Sequence, residues 1–231
     1  MFGVLNKIIT EATGKKIEIR IPPLLEFFGA DVLQALDKSP LLRILGTHLH
    51  PDNIPTSFFT KRVKILVIFR NPKDTLVSFY HFCKNFPIQP FPSSWESFYT
   101  NFMSGEVPWG SYFEHALAWE KRMDDPNVML VTYEELKQDL GEGLRQISSF
   151  LGFKLTEDQV QQVSEGVTFA AMKETVLVPR AMRGIIFRQG EVGDWRNHFT
   201  AEQSQQMDRV FSKHLAGTRL GRRLKYDVYC Q

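Results

Sequence analysis

The stretch Val63–Phe82, with the sequence VKILVIFRNPKDTLVSFYHF, decides the fold class of this chain. Its first seven residues are apolar except for one lysine, which is typical of a strand covered on both faces in a parallel sheet. Asn71 can cap a helix, Pro72 suits the first helical position, and Asp74 is favourable beside the positive end of a helix. The stretch therefore predicts a buried strand that leads directly into a capped helix.

Arg70 lies at the junction between this predicted strand and helix, and Ser78 follows further along the helix. Open α/β sheets bind anions where the carboxyl end of a strand meets a helix N-terminus. Arginine adds a planar fork of N–H donors that is suited to phosphate. The junction therefore predicts a site for a phosphorylated ligand.

Length and composition favour one large α/β domain over two small ones. The chain has 231 residues, of which 43% are hydrophobic, so it can bury one substantial core. Its net charge of +2 is too small to indicate a general nucleic-acid-binding protein. A basic cluster near the end is expected to form a solvated C-terminal tail, and it consists of Arg219, Arg222, Arg223 and Lys225.

The cysteines and the N-terminal residues favour a soluble cytoplasmic protein. Cys83 and Cys230 give neither a disulfide framework nor a metal-ligand spacing, which fits a reducing compartment. The apolar stretch at the N-terminus is too short and too interrupted for a signal peptide or a membrane span. We therefore expect neither export nor membrane insertion.

Hydrophobic periodicity predicts an alternation of helices and strands along the rest of the chain. The expected helices are Val4–Thr13, Leu24–Leu36, Trp95–Ser104, Tyr112–Lys121 and Glu134–Phe150, and the expected strands are Leu41–Thr47 and Val128–Tyr133. Thr156 with Gln159, and Thr200 with Gln203, each resemble a capping box that opens a helix. The segment 165–199 between those helices is expected to be irregular. Strands separated by helices indicate βαβ units and a parallel sheet.

Three blocks of the sequence resemble the cytosolic sulfotransferases, most closely the 6B branch of that family. They are GTHLH at 46–50, RNPKDTLVSFYHF at 70–82 and FRQGEVGDWRNHFT at 187–200, in the order and spacing of the family. The resemblance implies an α/β fold like that of P-loop NTPases, with a parallel sheet flanked by helices in a single domain of residues 1–231. It also implies transfer of a sulfuryl group from 3′-phosphoadenosine 5′-phosphosulfate (PAPS) to a hydroxyl or amine of a small acceptor, without a metal.

The family motif makes His48 the expected catalytic base, which takes the proton of the acceptor as the acceptor oxygen attacks sulfur. An alcohol is a poor nucleophile, and an imidazole titrates close to neutral pH. On residue type alone His50 competes for this role, but its place in the motif implies that it shapes the acceptor pocket. His81 is expected to be a packing residue of its helix.

The resemblance assigns the cofactor contacts to several parts of the chain. Arg70 and Ser78 match residues that hold the 3′-phosphate, and Tyr133 matches a residue that contacts the same region. One later segment corresponds to a lining of the adenine and phosphate site, and another to a loop that grips the 3′-phosphate. In these two segments the implied contacts are Val167, Thr168, Phe169, Met172, Ile186, Phe187, Arg188, Gln189 and Gly190.

The sequence departs from the family pattern in several places. Gly46 and Gln189 each stand where a lysine is common, and Val167 stands where a threonine is common. Relatives also carry an N-terminal strand and a YPKSGTTW-type loop that wrap the 5′-phosphosulfate, and nothing in this sequence matches them. We therefore expect little transfer from these 231 residues alone. The alternative function is a catalytically impaired truncated isoform, or a nucleotide-binding or dimerising protein without turnover.

Other properties are less constrained. A nucleotide kinase or NTPase is disfavoured, because the chain has no GxxxxGK[ST] motif. A monomer and a homodimer are equally compatible, because the run Arg196–Gln205 matches a dimer motif of relatives only in part. The acceptor is expected to be a small phenol, alcohol, sterol or amine. Aromatic residues form either its pocket wall or ordinary core, namely Phe86, Phe91, Trp95, Phe98 and Trp109.

Overall fold

The computed structural model describes residues 1–15, 24–27, 43–86, 94–175 and 180–231. Its contacts divide the chain into two compact units. The first unit consists of Met1–Leu49 and Asp139–Phe187, and the second unit of His50–Gln138 and Arg188–Gln231. The predicted helix beyond residue 27, the first two residues of the predicted strand at 41–47 and the proline-rich stretch with Phe91 lie outside the described residues.

The described residues are mostly helical. In chain order they form α1 (Phe2–Thr13), α2 (Ser57–Thr60), β1 (Ile65–Phe69), α3 (Pro72–Asn85), α4 (Trp95–Ser104), α5 (Tyr112–Glu120) and β2 (Val128–Thr132). The later elements are α6 (Tyr133–Gln138), α7 (Leu140–Phe150), α8 (Glu157–Gly166), α9 (Phe169–Thr175), α10 (Arg180–Ile186), α11 (Ala201–His214), α12 (Arg219–Arg223) and α13 (Tyr226–Tyr229). Turns of 3₁₀ helix lie at Leu25–Phe27, Pro51–Asn53 and Asp194–Asn197. None of these helices combines the length and the apolar character needed to cross a membrane.

Strands β1 and β2 form a parallel pair in the second unit, which confirms the predicted α/β class with a parallel sheet. Their register places Ile65 opposite Val128 and Phe69 opposite Thr132. Because both strands run in the same direction, their carboxyl ends meet at one edge of the sheet. From that edge, β1 leads into α3 and β2 leads into α6.

Asn71 begins α3 as predicted. Its Oδ1 accepts the N–H of Asp74 at 2.8 Å, and Pro72 occupies the first helical position. The Asn71 side chain is fully buried, and its Nδ2 also donates to Oε1 of Glu134 on α6 at 2.8 Å. One residue therefore caps a helix and joins that helix to the element that follows β2.

The C-terminal residues pack into the core of the second unit, so they do not form the predicted free tail, although Arg219, Arg222 and Lys225 are exposed as expected. Leu220, Leu224 and Cys230 are fully buried. The Arg223 guanidinium donates to Glu135 at 2.7 Å instead of lying free in water. The prediction considered only the basic residues, whereas the apolar residues that pack lie between them at helical spacing.

A buried lysine anchors this C-terminal segment to α3. Nζ of Lys73 lies 2.6 Å from Oγ of Ser204, 2.7 Å from the carbonyl oxygen of Cys230 and 2.7 Å from Oδ1 of Asp208. It also lies 4.2 Å from the centre of the Trp195 ring. A buried charge is costly unless it is paired and hydrogen-bonded, and these partners supply both kinds of compensation.

The first unit is built on α1, α7 and α8. Its fully buried side chains include Ile8, Leu144, Ile147 and Val163. The predicted capping box of Thr156 and Gln159 opens α8, and Gln159 also donates to the carbonyl of Glu11 on α1 at 2.8 Å. The second predicted box, at Thr200, opens α11 of the second unit. Both capping predictions are therefore confirmed.

Three expectations about secondary structure are wrong. The predicted helix Glu134–Phe150 is two helices, α6 and α7, because Asp139 caps the second by accepting the N–H of Glu142. The segment 165–199 is not irregular, since it contains α9, α10 and a 3₁₀ turn. In the described part of the predicted strand Leu41–Thr47, Gly46 alone forms a bridge, which pairs it with Leu24.

Replacing Asn71 with alanine is expected to lower the free energy of unfolding of the second unit by about 2–4 kcal/mol. The lost cap accounts for about 1 kcal/mol, and the lost hydrogen bonds from Nδ2 to the buried carboxylates of Glu134 and Asp74 for about 1–3 kcal/mol. Urea unfolding followed by circular dichroism measures the change.

The matched control is Ser94→Ala. Ser94 caps α4 by accepting the N–H of Ser97, so the variant is expected to lose about 1 kcal/mol. Equal losses in the two variants would contradict the second role of Asn71, which is to join α3 to α6.

Candidate functional site

Arg70 follows β1 and is held on three sides within the second unit. Its Nη2 donates to the carbonyl of Glu191 at 2.5 Å and lies 3.6 Å from Oδ2 of Asp74. The guanidinium carbon lies 4.6 Å from the centre of the Tyr133 ring. Its Nε is buried and has no hydrogen-bond partner among the described residues. These contacts fix the guanidinium of Arg70 in place.

Tyr133 follows β2 and reaches the same place. Its hydroxyl donates to the carbonyl of Gly190 at 2.8 Å. Burial raises the pKa of Tyr133 above its ordinary value, although the charge of Arg70 acts in the opposite direction. Gly190 has a φ of 70°, a left-handed conformation that favours glycine. The ends of both strands therefore contact the turn that begins at Gly190.

Asp74 joins that turn to α3, and sequence reasoning missed this role. Its Oδ2 accepts the backbone N–H of Gly193 at 2.7 Å, and its Oδ1 accepts that of Trp195 at 3.0 Å. The Asp74 side chain has no exposed surface. Its position in the first turn of α3 suggested only a favourable interaction with the helix dipole, and no local pattern pointed to these distant donors.

Arg188 lies in the segment 188–195, which contains the turn at Gly190 and the residues that Asp74 contacts. Its guanidinium forms an ion pair with Asp194, and Nε2 of His198 lies 3.5 Å from the same carboxylate oxygen. Burial alone would raise the pKa of Asp194, but hydrogen bonds from Asn197 and Arg188 and the charge of Arg188 hold it below its ordinary value. Arg188 is thus oriented by a neighbour on its own segment.

Ser78 and His81 share the face of α3 that carries Asp74, since they follow it by four and seven positions. The His81 ring centre lies 5.0 Å from that of His198 in an edge-to-face arrangement, so His81 does pack as expected. Ser78 stands between Asp74 and His81 with an exposed side chain. The predicted phosphate residue Ser78 therefore lies on the helix face that is turned toward the segment 193–198.

The second unit thus brings together several residues that the sequence implied for phosphate. They are Arg70, Ser78, Tyr133, Arg188 and Gly190, and the adjacent Gln189 has an exposed side chain. Guanidinium groups and helix N-termini are the kinds of groups that bind a dianion in proteins, and this unit has two such guanidinium groups, those of Arg70 and Arg188, and the N-terminus of α3.

His48 belongs to the first unit and has a carboxylate partner that sequence reasoning missed. Its Nδ1 lies 2.7 Å from Oε1 of Glu26, and its backbone N–H donates to the same oxygen at 3.0 Å. Burial alone would raise the pKa of Glu26, but the hydrogen bonds from His48 help to hold it below its ordinary value. When Nδ1 carries the proton, Nε2 is the unprotonated ring nitrogen, which is the form that a general base requires.

The remaining predicted contacts also lie in the first unit. Thr168 caps α9, because its Oγ1 accepts the N–H of Ala171 at 3.2 Å. The rings of Phe169 and Phe187 pack edge to face with centres 5.7 Å apart. The other three are Val167, which is buried, Met172, which is half-buried, and Ile186, which is exposed. The competing histidine, His50, belongs to the second unit, where its Nδ1 accepts the N–H of Asp52 at 3.3 Å.

An arginine beside a helix N-terminus at the carboxyl end of a parallel strand pair is a common arrangement in phosphate-binding α/β proteins. The model of the sulfotransferase domain matches residues 8–219 of this chain. The chain belongs to the sulfotransferase family, so the resemblance seen in its motifs is confirmed.

Individual relatives agree with this assignment. Sulfotransferase 6B1 of Danio rerio is 54% identical over 233 residues, which cover 100% of this chain and 79% of the relative. Sulfotransferase 6B1 of Homo sapiens is 45% identical over 229 residues, which cover 99% of this chain and 76% of the relative. The chain is thus similar to the 6B branch along its whole length.

Solved structures show the same fold. Mouse sulfotransferase SULT7A1, complexed with PAP, matches with a TM-score of 0.82 and 32% identity, over 97% of this chain and 84% of that chain. Retinol dehydratase in complex with androsterone and the inactive cofactor PAP matches with a TM-score of 0.73 and 28% identity, over 80% of this chain and 57% of that chain. The fold of this chain is therefore that of the sulfotransferases.

Replacing His81 with phenylalanine is expected to flatten the dependence of stability on pH. Burial, followed by the charges of Arg188 and His198, lowers the pKa of His81 below its ordinary value of 6.5. The unfolded chain therefore binds a proton at His81 before the folded chain does, and stability falls as the pH drops below that ordinary value.

The free energy of unfolding, measured by urea at intervals from about pH 8 to about pH 5.5, tests this expectation. The variant should lose less stability than the wild type over this range, while the two should differ little near the alkaline end. Parallel curves would show that His81 binds its proton equally well in the folded and unfolded states.

Proposed function

We propose that this chain transfers a sulfuryl group from PAPS to a hydroxyl or amine of a small acceptor. The observation that carries the proposal is the convergence of Arg70, Tyr133 and the segment that begins at Arg188 on one edge of the parallel sheet. We also propose that the chain forms one sulfotransferase domain and works in the cytoplasm. The match to the domain model over 8–219 and the two free cysteines support these points.

The donors of the second unit fit the 3′-phosphate of PAPS. Arg70 has a buried Nε with no partner in the described part of the chain, and Ser78 has an exposed side chain on the adjacent helix face. Arg188 supplies a second guanidinium, and the turn at Gly190 is fixed by Tyr133. Charge-assisted hydrogen bonds to phosphate are roughly twice as strong as neutral ones. PAP, which is 3′,5′-adenosine bisphosphate, is bound in the similar structures, and this supports the choice of nucleotide.

In the first unit, His48 can act as the base of the reaction. Glu26 holds Nδ1 of His48, so we propose that the other ring nitrogen, Nε2, takes the proton of the acceptor. As that proton moves to His48, the acceptor oxygen or nitrogen forms a bond to sulfur and the bond from sulfur to the 5′-phosphate oxygen breaks. The products are the sulfated acceptor and 3′,5′-adenosine bisphosphate, so atoms and charges balance without a metal.

The acceptor is proposed to be a small molecule. Retinol dehydratase has been solved with androsterone and with retinol, which supports an apolar alcohol. Among the aromatic residues considered for the pocket, Phe98 is buried and Trp95 packs against Tyr80 and Phe199. These contacts favour the core interpretation for these two residues. A monomer and a homodimer remain equal proposals.

The first prediction concerns the phosphate site. The chain is expected to bind 3′,5′-adenosine bisphosphate at least about tenfold more tightly than adenosine 5′-monophosphate, because charged hydrogen bonds contribute about 1.5–3 kcal/mol each. Arg70→Ala is expected to remove most of this preference. Isothermal titration calorimetry with both nucleotides measures it.

The control is Arg145→Ala, which removes an exposed arginine of the first unit that pairs with Glu157. This variant should keep the preference. Equal affinity of the folded wild type for both nucleotides would sink the proposed function, and an undiminished preference in Arg70→Ala would exclude Arg70 from the site.

The second prediction concerns the base. In a protein that also carries the YPKSGTTW-type loop of relatives, His48→Ala is expected to lower the rate of sulfuryl transfer by about 100-fold or more, because general base catalysis contributes about that much. Nucleotide affinity should stay within about twofold of the wild type, since the base acts on the acceptor. Transfer of radiolabel from PAPS to a panel of phenols, sterols and amines measures the rate.

His50→Ala is the control, because it removes a histidine two positions away that caps a different turn. It should change acceptor preference more than the maximal rate. A His48→Ala protein that kept most of its activity would show that another group takes the proton.

A further inference from the structure

We propose that Asp74 is a positioning residue that gives this site its preference for a nucleotide with a 3′-phosphate. It does so by holding the backbone of Gly193 and Trp195, and with it the segment that carries Arg188 and Gly190. This inference rests on the proposed function, since it concerns the same nucleotide.

Both carboxylate oxygens of Asp74 accept hydrogen bonds from N–H groups. Oδ2 accepts the N–H of Gly193 at 2.7 Å and a second bond from Nδ2 of Asn71 at 2.8 Å, while Oδ1 accepts the N–H of Trp195 at 3.0 Å. A negative charge beside an anion site opposes binding by simple Coulomb repulsion. Asp74 is therefore poorly suited to contact phosphate and well suited to hold amides.

The turn at Gly193, whose backbone Asp74 holds, has a shape that depends on glycine. Gly193 has a φ of 94°, and a Cβ there would lie 2.7 Å from Nη1 of Arg196. Asp194, the ion-pair partner of Arg188, stands between the two amides that Asp74 accepts. Displacing those amides therefore displaces the carboxylate that orients Arg188.

Asp74 contacts both Arg70 and the segment that carries Arg188. Its Oδ2 lies 3.6 Å from the Arg70 guanidinium, which in turn donates to the carbonyl of Glu191. One carboxylate thus sets the distance between the arginine at the end of β1 and the segment that bears Arg188. Two arginines can grip one phosphate only when this distance is fixed.

Asp74→Asn tests the inference with almost no change in shape. The new amide nitrogen must face a backbone N–H where the wild type has an acceptor, so the turn has to shift. The ratio of the affinities for 3′,5′-adenosine bisphosphate and adenosine 5′-monophosphate is expected to fall from about tenfold or more to within about threefold. A purely structural role would lower the folded fraction and weaken both nucleotides equally, so the ratio separates the two roles.

The matched control is Asp208→Asn, which makes the same chemical change elsewhere in the second unit. Asp208 accepts from the Tyr226 hydroxyl at 2.7 Å and pairs with Lys73, so this variant should melt at a lower temperature. Its affinity ratio should match that of the wild type. A ratio that fell equally in both variants would overturn the assignment to Asp74.

The outcomes separate the two proposals. A folded wild type that binds the nucleotides equally contradicts the proposed function itself. A wild type with the preference and an Asp74→Asn protein that keeps it overturn the positioning role alone. If Asp74→Asn does not fold, Gly193→Ala decides, because it strains the same turn without altering the carboxylate. A reduced ratio in Gly193→Ala supports the inference, and an unchanged ratio overturns it.

Discussion

A carboxylate with no exposed surface carries a large desolvation cost, and the second unit offsets this cost at Asp74 with directed N–H groups. They come from the backbone of Gly193 and Trp195 and from the side chain of Asn71. The first turn of α3 is thereby bound to a segment far away in the sequence. The end of β1, the start of α3 and the turn at Gly190 keep one geometry because they share this carboxylate.

The strand β1 and the helix α3 could be predicted because their causes are local. Asn71 caps a residue only three positions away, and the capping boxes act over the same distance. The partners of the next two charged residues could not be predicted in this way. Ser204 lies 131 positions after Lys73, and Trp195 lies 121 positions after Asp74. No local pattern shows that a lysine and an aspartate beside a helix start are buried and not solvated.

The candidate site also combines contacts that the sequence predicted with long-range contacts that it did not. Arg70 and Tyr133 are neighbours because parallel strands end at the same edge, and the alternation of strands and helices predicted that edge. The carboxylate partner of His48 was not predictable. Glu26 lies in a 3₁₀ turn without a helical or strand period, and a single bridge at Gly46 aligns its segment with that of His48. A contact between distant segments therefore places Glu26 beside His48, and hydrophobic periodicity does not reveal such a contact.

The ammonium group of Lys73 has a consequence for the chemistry of the folded protein. An amine is acylated when its lone pair attacks the reagent, whereas this Nζ is enclosed by Ser204, Asp208 and the carbonyl of Cys230. Collision with a reagent is then not the limiting event at this residue. Lys73 can be acylated only after the C-terminal segment separates from α3. The rate of its acylation, followed by mass spectrometry, therefore measures the rate of that opening.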